Sequence, residues 1–203
     1  YMYRKHSFLQ TIFRQWKVVI LVGLIGACIA TGVSLLFPFE YRADAQVFII
    51  SQSRFGVDPY TVIRSAEQIG ENIAQVVKTG DFYDRVLRQP GFAIDESRFR
   101  GVSERIKRKR WQKAVNASVV FGTGVLNISG YHEDPLQAKE LTSAVAATLV
   151  SQASEYVGGD VTFKVINSSV STRFPARPNL ILNVMLGFLL GVCLMSLLLL
   201  RRR

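Results

Sequence analysis

Two long apolar runs, one toward each end of the chain, place the strongest limit on how this sequence can fold. They are Val18–Phe37 and Leu180–Leu200, with twenty and twenty-one residues and no charged side chain in either. A helix rises about 1.5 Å per residue, so each run spans roughly the 30 Å of a bilayer's hydrocarbon. The sequence therefore predicts two transmembrane helices, and the segment between them is long enough to bury its own core.

The net charge of +10 is concentrated outside these runs, in two short tails. Seven cations lie there: Arg4, Lys5, Arg14 and Lys17 before the first run, and Arg201, Arg202 and Arg203 after the second. Neither tail contains an acid, whereas the middle segment has 18 basic and 15 acidic residues. Because short segments rich in Lys and Arg remain in the cytoplasm, we expect both tails to be cytoplasmic and the middle segment to be exported. A charge held in the tails also argues against a nucleic-acid partner.

The first run has one alternative interpretation, a cleaved signal peptide. Ala43-Asp44-Ala45 resembles a small-residue cleavage site behind a basic start, but twenty apolar residues exceed the usual length of a signal peptide's apolar region. The two cysteines, Cys28 and Cys193, lie inside the apolar runs, where cysteine behaves as a small apolar residue. The sequence thus predicts no disulfide, no metal site and no cofactor.

The middle segment alternates between strand and helix patterns. In order, these patterns predict a strand over 41–51, helices over 59–80, 81–89 and 95–109, a hairpin of strands over 115–121 and 125–129, a helix from Asp134-Pro135 to Gly158-Gly159, and a strand over 161–168. This order is typical of an α+β, ferredoxin-like (βαββαβ) domain with extra helices, in which an antiparallel sheet has helices on one face. The first and last strands should lie near each other at the sheet centre, so the two membrane helices should emerge side by side.

The resulting organisation has six parts. They are a cytoplasmic tail (1–17), a transmembrane helix (18–37), an exported domain (38–170), a proline-containing join (171–179), a second transmembrane helix (180–200) and a cytoplasmic tail (201–203). Within the join, Pro175 and Pro178 fix φ and disfavour helix in the residues before them. We therefore expect the join to be a stiff, extended strut.

The inventory of reactive side chains argues against an enzyme. His6 lies in a tail, and His132, beside Glu133 and Asp134, is the other histidine. Acids at the start of a predicted helix are more often caps than catalytic groups or ligands. The sequence has no glycine-rich phosphate loop, no nucleophile elbow and no His/Cys grouping at metal spacing.

The densest group of charges is a basic cluster in the exported domain. It consists of Arg105, Lys107, Arg108, Lys109, Arg110 and Lys113, with Trp111 set within it. These cations must largely face water, since like charges cannot be buried together without partners. One interpretation is a solvated helix end or subunit contact. The other is contact with an anionic polymer or lipid, with Trp111 offering a face for stacking on sugars.

Small residues recur at four-residue spacing in both apolar runs. The pairs are Gly23/Ala27, Gly26/Ala30 and Gly187/Gly191. This spacing permits close approach of helix backbones in a membrane. It predicts helix–helix packing, either within one chain or between chains.

Two segments resemble chain-length determinant proteins, also called polysaccharide co-polymerases. Phe174-Pro175-Ala176-Arg177-Pro178-Asn179, running into a glycine-containing helix, resembles the family's proline-rich join, and Asp134-Pro135-Leu136-Gln137-Ala138 is similar to its Asp-Pro-x-x-Ala helix start. The order of helix, exported domain, join and helix extends the resemblance over nearly the whole chain. The resemblance gives Pro175, Pro178, Asn179 and Asn183 a coupling role at the membrane. One departure is Thr172, where the family often has a third proline.

The resemblance implies a non-enzymatic regulator of the length and export of a bacterial surface or exopolysaccharide, such as lipopolysaccharide or capsule. It implies a homo-oligomer in the inner membrane, in contact with lipids and with a polysaccharide polymerase or synthase. It is strongest to compact members, which pair with a separate cytoplasmic tyrosine kinase. A membrane-anchored sensor or scaffold unrelated to polysaccharide would have the same two-helix plan and is the alternative.

Overall fold

The computed structural model describes residues 15–51, 58–152, 154–157 and 161–201. The chain divides into two units, one formed by Tyr1–Phe39 with Arg177–Arg203 and the other by Glu40–Ala176. Most of the two tails, His6 among them, and the helix end predicted at Gly158-Gly159 lie outside the described residues.

The first unit is a pair of apolar helices, α1 (Trp16–Leu35) and α7 (Leu180–Arg201), which pack against each other. Both are long and apolar enough to cross a membrane. Their large side chains point outward: Ile29 is 63% exposed and Ile181 is 76% exposed. A core helix of a soluble protein would bury such residues, so these surfaces suit a lipid environment.

The second unit is an α+β domain. Its elements in chain order are β1 (Tyr41–Ser51), α2 (Pro59–Val76), α3 (Gly80–Leu87), α4 (Glu104–Ala114), β2 (Val115–Val119), β3 (Val125–His132), α5 (Pro135–Gln152), α6 (Ser154–Val157) and β4 (Val161–Ser171). The prediction of a mixed domain with an antiparallel sheet between two apolar helices is confirmed. The predicted hairpin is present, and Gly122 has the positive φ of +70° that its turn requires.

The four strands form one antiparallel sheet in the order β2-β3-β1-β4. Within it, Ala45 pairs with Ile128 of β3, and Ile49 pairs with Phe163 of β4. The first and last strands are therefore neighbours, as expected. However, β4 lies at the edge of the sheet rather than at its centre.

The domain core lies between one face of this sheet and the helices. Alternate residues of β1, Ala45, Val47 and Ile49 among them, are buried, because successive strand side chains point to opposite faces. Leu149 of α5 and Ile73 of α2 are buried in the same core. On the opposite face Gln46 is hydrogen-bonded to Asn127 and Asn167, whereas Phe48 and Ile50 of β1 are exposed.

The helix predicted over 95–109 is wrong in its first half. Asp95 instead accepts hydrogen bonds from the backbone N–H and the hydroxyl of Ser97, which form a local turn. Gly101 follows with a φ of +68°, which is incompatible with a continuous helix. The helix begins only at Glu104 and continues to Ala114, directly before β2.

Candidate functional site

The small residues of α1 and α7 lie at the contact between the two helices of one chain. A Cβ added at Gly187 would lie 2.5 Å from the Cβ of Ala30 and 2.6 Å from the carbonyl oxygen of Gly26. A Cβ at Gly191 would lie 2.6 Å from the carbonyl oxygen of Val22. These distances are shorter than van der Waals contact, so glycine is required where the two backbones approach.

The remaining small pair of α1, Gly23 and Ala27, lies on the same face of that helix. A Cβ added at Gly23 would lie 2.7 Å from the ring of Phe188 of α7. Ala27 is buried, at 9% exposed, and its carbonyl oxygen accepts a hydrogen bond from Thr31 Oγ1 at 2.8 Å. The sequence left open a contact of Ala27 with a second chain. In the structure Ala27 is buried within the helix pair of a single chain, and packing against a second chain stays a prediction.

A polar pair joins the same two helices. Asn183 Nδ2 donates a hydrogen bond to Ser34 Oγ at 2.8 Å, and Ser34 Oγ in turn donates to the carbonyl oxygen of Ala30 at 2.8 Å. Ser34 is only 3% exposed. Polar side chains that water cannot reach need protein partners. This pair therefore satisfies two polar side chains and fixes one helix against the other.

Asn179, the other asparagine to which the sequence assigns a coupling role, lies at the end of the join, directly before α7. Its side-chain Oδ1 accepts a hydrogen bond from the backbone N–H of Leu182 at 3.2 Å. This is the contact of a helix N-cap. Asn179 thus fixes where the second apolar helix begins.

The first part of the join is bonded to β1 and to the residue before it. Thr172 donates its N–H to the carbonyl oxygen of Arg42 at 2.7 Å, and its hydroxyl accepts from the N–H of Arg42 at 3.1 Å. Ala176 donates its N–H to the carbonyl oxygen of Glu40 at 2.7 Å. A proline at Thr172 would have no N–H to donate, which gives a physical reason for the departure from the family pattern.

The basic cluster is divided by its packing. Arg105, Arg108 and Lys109 are exposed and make no ion pair or side-chain hydrogen bond with any residue that the structure describes. Lys107 instead turns toward the domain, 3.6 Å from Asp84 and from Glu104 and 4.7 Å from the Tyr83 ring. Only part of the cluster is therefore available to an external anion.

Arg110 lies on another side of α4 and is already used within the domain. Its Nη1 donates to the backbone oxygen of Arg98, whose own guanidinium pairs with Glu40 at 3.1 Å and Glu133 at 2.6 Å. Beside these groups is a cavity of about 230 Å³, with Lys113 also in its lining. This side of α4 mixes cations with carboxylates.

Trp111 does not offer a stacking face, contrary to the sequence interpretation. It is 1% exposed, and its Nε1 donates to the carbonyl oxygen of Val77 at 2.7 Å. Its ring packs against the rings of Tyr83 and Phe99, with centroids 5.1 and 6.3 Å away. Trp111 is therefore the anchor that holds α4 on the domain and turns the remaining cluster outward.

A polar groove lies beside α4, and sequence reasoning missed most of it. Its volume is about 520 Å³, and it is lined by Gln75, Lys78, Thr79, Gly80, Arg108, Gln112 and Asn116. Of these residues, only Arg108 belongs to the basic cluster. Gln112 also lies on α4, and the other lining residues come from the end of α2, the turn between α2 and α3, the start of α3 and the start of β2, which only the folded chain brings together.

His132 is held in a structural setting. Its Nδ1 accepts a hydrogen bond from the backbone N–H of Asp134 at 3.0 Å, and its Nε2 lies 3.6 Å from Asp95 Oδ2. Hydrogen bonds from Ser97 to the Asp95 carboxylate lower the pKa of Asp95. Among the described residues, no group of three His, Cys, Asp or Glu side chains is arranged to hold a metal ion.

A comparison with protein families supports the resemblance found in the sequence. Residues 7–89, less than half of the chain, match the model of the Wzz family, described as chain length determinant protein. The matched range includes α1, β1, α2 and α3, and excludes both segments that first suggested the family. The resemblance to chain-length determinants is thus confirmed from an independent part of the chain. No curated protein matches the sequence.

Proposed function

We propose that this protein is a non-enzymatic regulator of the chain length and export of a bacterial surface or exopolysaccharide. The observation that carries the proposal is the match of residues 7–89 to the chain length determinant family. Proteins of that family are generally regulators rather than enzymes. In this proposal His132 has a structural role, because its Nδ1 accepts a hydrogen bond from the backbone N–H of Asp134 at the start of α5.

The proposed location is the bacterial inner membrane, with α1 and α7 crossing it, the α+β domain exported and both tails in the cytoplasm. The outward-facing apolar side chains of both helices support the crossing, and the cations of the tails support the orientation. We assign the exported domain to the ferredoxin-like class, because its β2-β3-β1-β4 antiparallel order is the one that a βαββαβ chain produces.

The proposed mechanism is control by position. The domain's first and last strands pair with each other, and the join is bonded to the residues that begin β1. A rigid, homo-oligomeric array of such domains would hold a polymerase or synthase and its growing chain at a set geometry. A cytoplasmic tyrosine kinase is a further proposed partner, and the proposed mechanism involves neither a cofactor nor nucleic acid.

Deletion of the gene, followed by gel analysis of the surface polysaccharide, tests this function. A regulator of chain length should give a changed length distribution with the repeat unit unaltered, and the intact gene should restore the original pattern. A sensor or scaffold unrelated to polysaccharide would leave the distribution unchanged. That result would overturn the proposal.

The orientation has its own test, in a variant whose native cysteines, Cys28 and Cys193, are replaced by alanine. Single cysteines introduced at Arg4 and Arg202 should resist a membrane-impermeant thiol reagent in intact cells and react after lysis. A cysteine at exposed Lys139 of the domain is the matched positive control. Labelling of either tail from outside would exclude the proposed orientation.

A further inference from the structure

The polar groove beside α4 is lined by cationic, amide and hydroxyl side chains and one glycine. Its volume of about 520 Å³ is within the range typical of small-ligand sites. Two cations, Lys78 and Arg108, and three side-chain amides, Gln75, Gln112 and Asn116, provide its functional groups. The lining contains neither a carboxylate nor an apolar side chain.

The two cations of the groove have not been neutralised by the domain itself. Neither Lys78 nor Arg108 makes an ion pair or a side-chain hydrogen bond with a residue in the described part of the chain. By contrast, Lys107 on the same helix lies 3.6 Å from two carboxylates. The charge of Arg108, on the groove side of α4, is therefore available to a ligand. The charge of Lys107, on the side that faces the Tyr83 ring, is balanced by carboxylates.

The groove is continuous with a polar stripe along α4. Arg105, Arg108, Lys109 and Gln112 are spaced by three, one and three residues, which places them on one helix face. All four are exposed. Buried Trp111 fixes the rotation of the helix, so this stripe cannot turn inward. A ligand longer than the groove could therefore continue along the stripe.

We propose that this groove binds an acidic saccharide, that is, a glycan segment that carries carboxylate or phosphate groups. The cations would pair with the acidic groups, and the amides, which both donate and accept, would bind the hydroxyls. This inference rests on the proposed function and adds a binding site to it.

The residues that line the groove also indicate which class of ligand it binds, a saccharide or a lipid. A phospholipid would bring acyl chains to its binding site, and these need apolar surface. None of the seven lining residues has an aliphatic or aromatic side chain, so acyl chains would meet only short methylene stems between polar groups, whereas the hydroxyls of a saccharide match the amides. The lining therefore favours the saccharide.

The experiment measures binding to the full chain in phosphatidylcholine nanodiscs, which present no sugar headgroup. The probes are hexagalacturonic acid, which is acidic, and maltohexaose, a neutral oligosaccharide of equal length. Dihexanoyl phosphatidylglycerol serves as a competitor with a lipid phosphate. We expect hexagalacturonic acid to bind, maltohexaose to bind at least about tenfold more weakly, and the lipid not to compete, because only the acidic saccharide uses both cations and amides.

Variants then locate the site. Lys78→Gln and Arg108→Gln should each weaken the binding of hexagalacturonic acid roughly tenfold, since each removes one charge-assisted contact. Lys139→Gln is the matched control, because it removes an exposed cation on α5 outside the groove and should change the affinity by less than about twofold. Thermal unfolding should be unchanged in all three variants.

Two results would overturn the assignment of the groove. One is wild-type affinity in the double variant Lys78→Gln/Arg108→Gln, and the other is displacement of hexagalacturonic acid by the short lipid. Either result would leave the proposed function standing if gene deletion still changed the polysaccharide length. An unchanged length after deletion would refute the proposed function whatever the groove binds.

Discussion

Asn183 of the second apolar helix donates its side-chain Nδ2 to Ser34 Oγ of the first, at a distance of 2.8 Å. The two residues are far apart in sequence and yet form the polar contact between the helices. Ser34 is buried, and its hydroxyl is also bonded to its own helix. The contact thus fixes both the rotation and the register of the helix pair.

Asn183→Ala should weaken the helix pair by about 0.6–2 kcal/mol, the range measured for polar contacts between membrane helices. The loss should be seen as a lower free energy of unfolding of the full chain in mixed micelles. Ser196→Ala is the matched control, because within the described residues its hydroxyl donates to the carbonyl oxygen of Val192 of the same helix and to no other group. Equal stability of the two variants would show that the Asn183–Ser34 contact does not hold the pair together.

Gly187→Leu should separate α1 from α7, because even a Cβ at this position would lie 2.5 Å from Ala30 Cβ. Overpacking of this kind costs about 1–3 kcal/mol or more. The variant should unfold at lower denaturant and lose control of polysaccharide length. Gly32→Leu is the control in α1, since its added Cβ would have no atom within 4 Å outside its chain neighbours and the backbone of its own helix. If both variants behaved alike, close packing at Gly187 would not be the cause.

The sequence was sufficient for elements whose pattern is local. The strand over 41–51 was predicted with the bounds that the structure has, and the hairpin followed from β-forming residues on either side of Gly122-Thr123-Gly124. The helix over 95–109 was misplaced because that segment is charge-rich and lacks an apolar period. The turn at Asp95 and the positive φ of Gly101 decide its start.

Burial among charged neighbours could not be predicted in the same way. Trp111 is surrounded in sequence by cations, and its burial depends on Tyr83 and Phe99, which come from other segments. Lys78 of the groove gave no signal, since its relation to Arg108 exists only after α4 packs against the segment that follows α2. Asn183 did give a signal, because a polar residue inside an apolar run needs a partner.

Trp111→Ala should destabilise the domain by about 3–5 kcal/mol, the cost typical of removing a large buried aromatic side chain. The variant also leaves the carbonyl oxygen of Val77 without its hydrogen bond. Thermal unfolding followed by circular dichroism would measure the loss. Lys109→Ala on the same helix is the control and should stay within about 0.5 kcal/mol of the wild type. An unaltered unfolding temperature for Trp111→Ala would contradict its assignment to the core.

The ionisation of the Tyr83 hydroxyl should make the stability of the domain depend on alkaline pH. Burial, with smaller contributions from nearby acids, raises the pKa of Tyr83 to about 12. The unfolded chain ionises this group at about pH 10. Its contribution to stability is therefore complete below pH 10 and is lost as the pH rises through 12, because only the unfolded state releases the proton in that interval.

Tyr83→Phe removes this ionisation while it keeps the ring against Trp111. The variant should match the wild type at pH 7 and exceed it at pH 11 by about 1 kcal/mol in free energy of unfolding. Denaturant titrations of both proteins at the two pH values measure the difference. A constant difference between the two proteins at both pH values would refute the role of Tyr83 ionisation.

Replacement of Pro175 and Pro178 by glycine tests whether the join transmits the orientation of the membrane helices to the exported domain. Each glycine adds backbone freedom that costs roughly 1 kcal/mol to order again. The domain should still fold, because neither proline belongs to its core and the hydrogen bond from Thr172 to Arg42 is untouched. The helix pair should also persist, since its glycine contacts and the Asn183–Ser34 bond are unaltered. We therefore expect normal oligomer size and a broadened distribution of polysaccharide lengths on a gel.

The control for the proline variant is Pro90→Gly, the same change in an exposed loop of the domain, which should leave the length distribution unchanged. A wild-type length distribution in the double proline variant would show that the prolines have no part in length control. The hydrogen bonds between the join and the start of β1 would then be enough to hold the join in place.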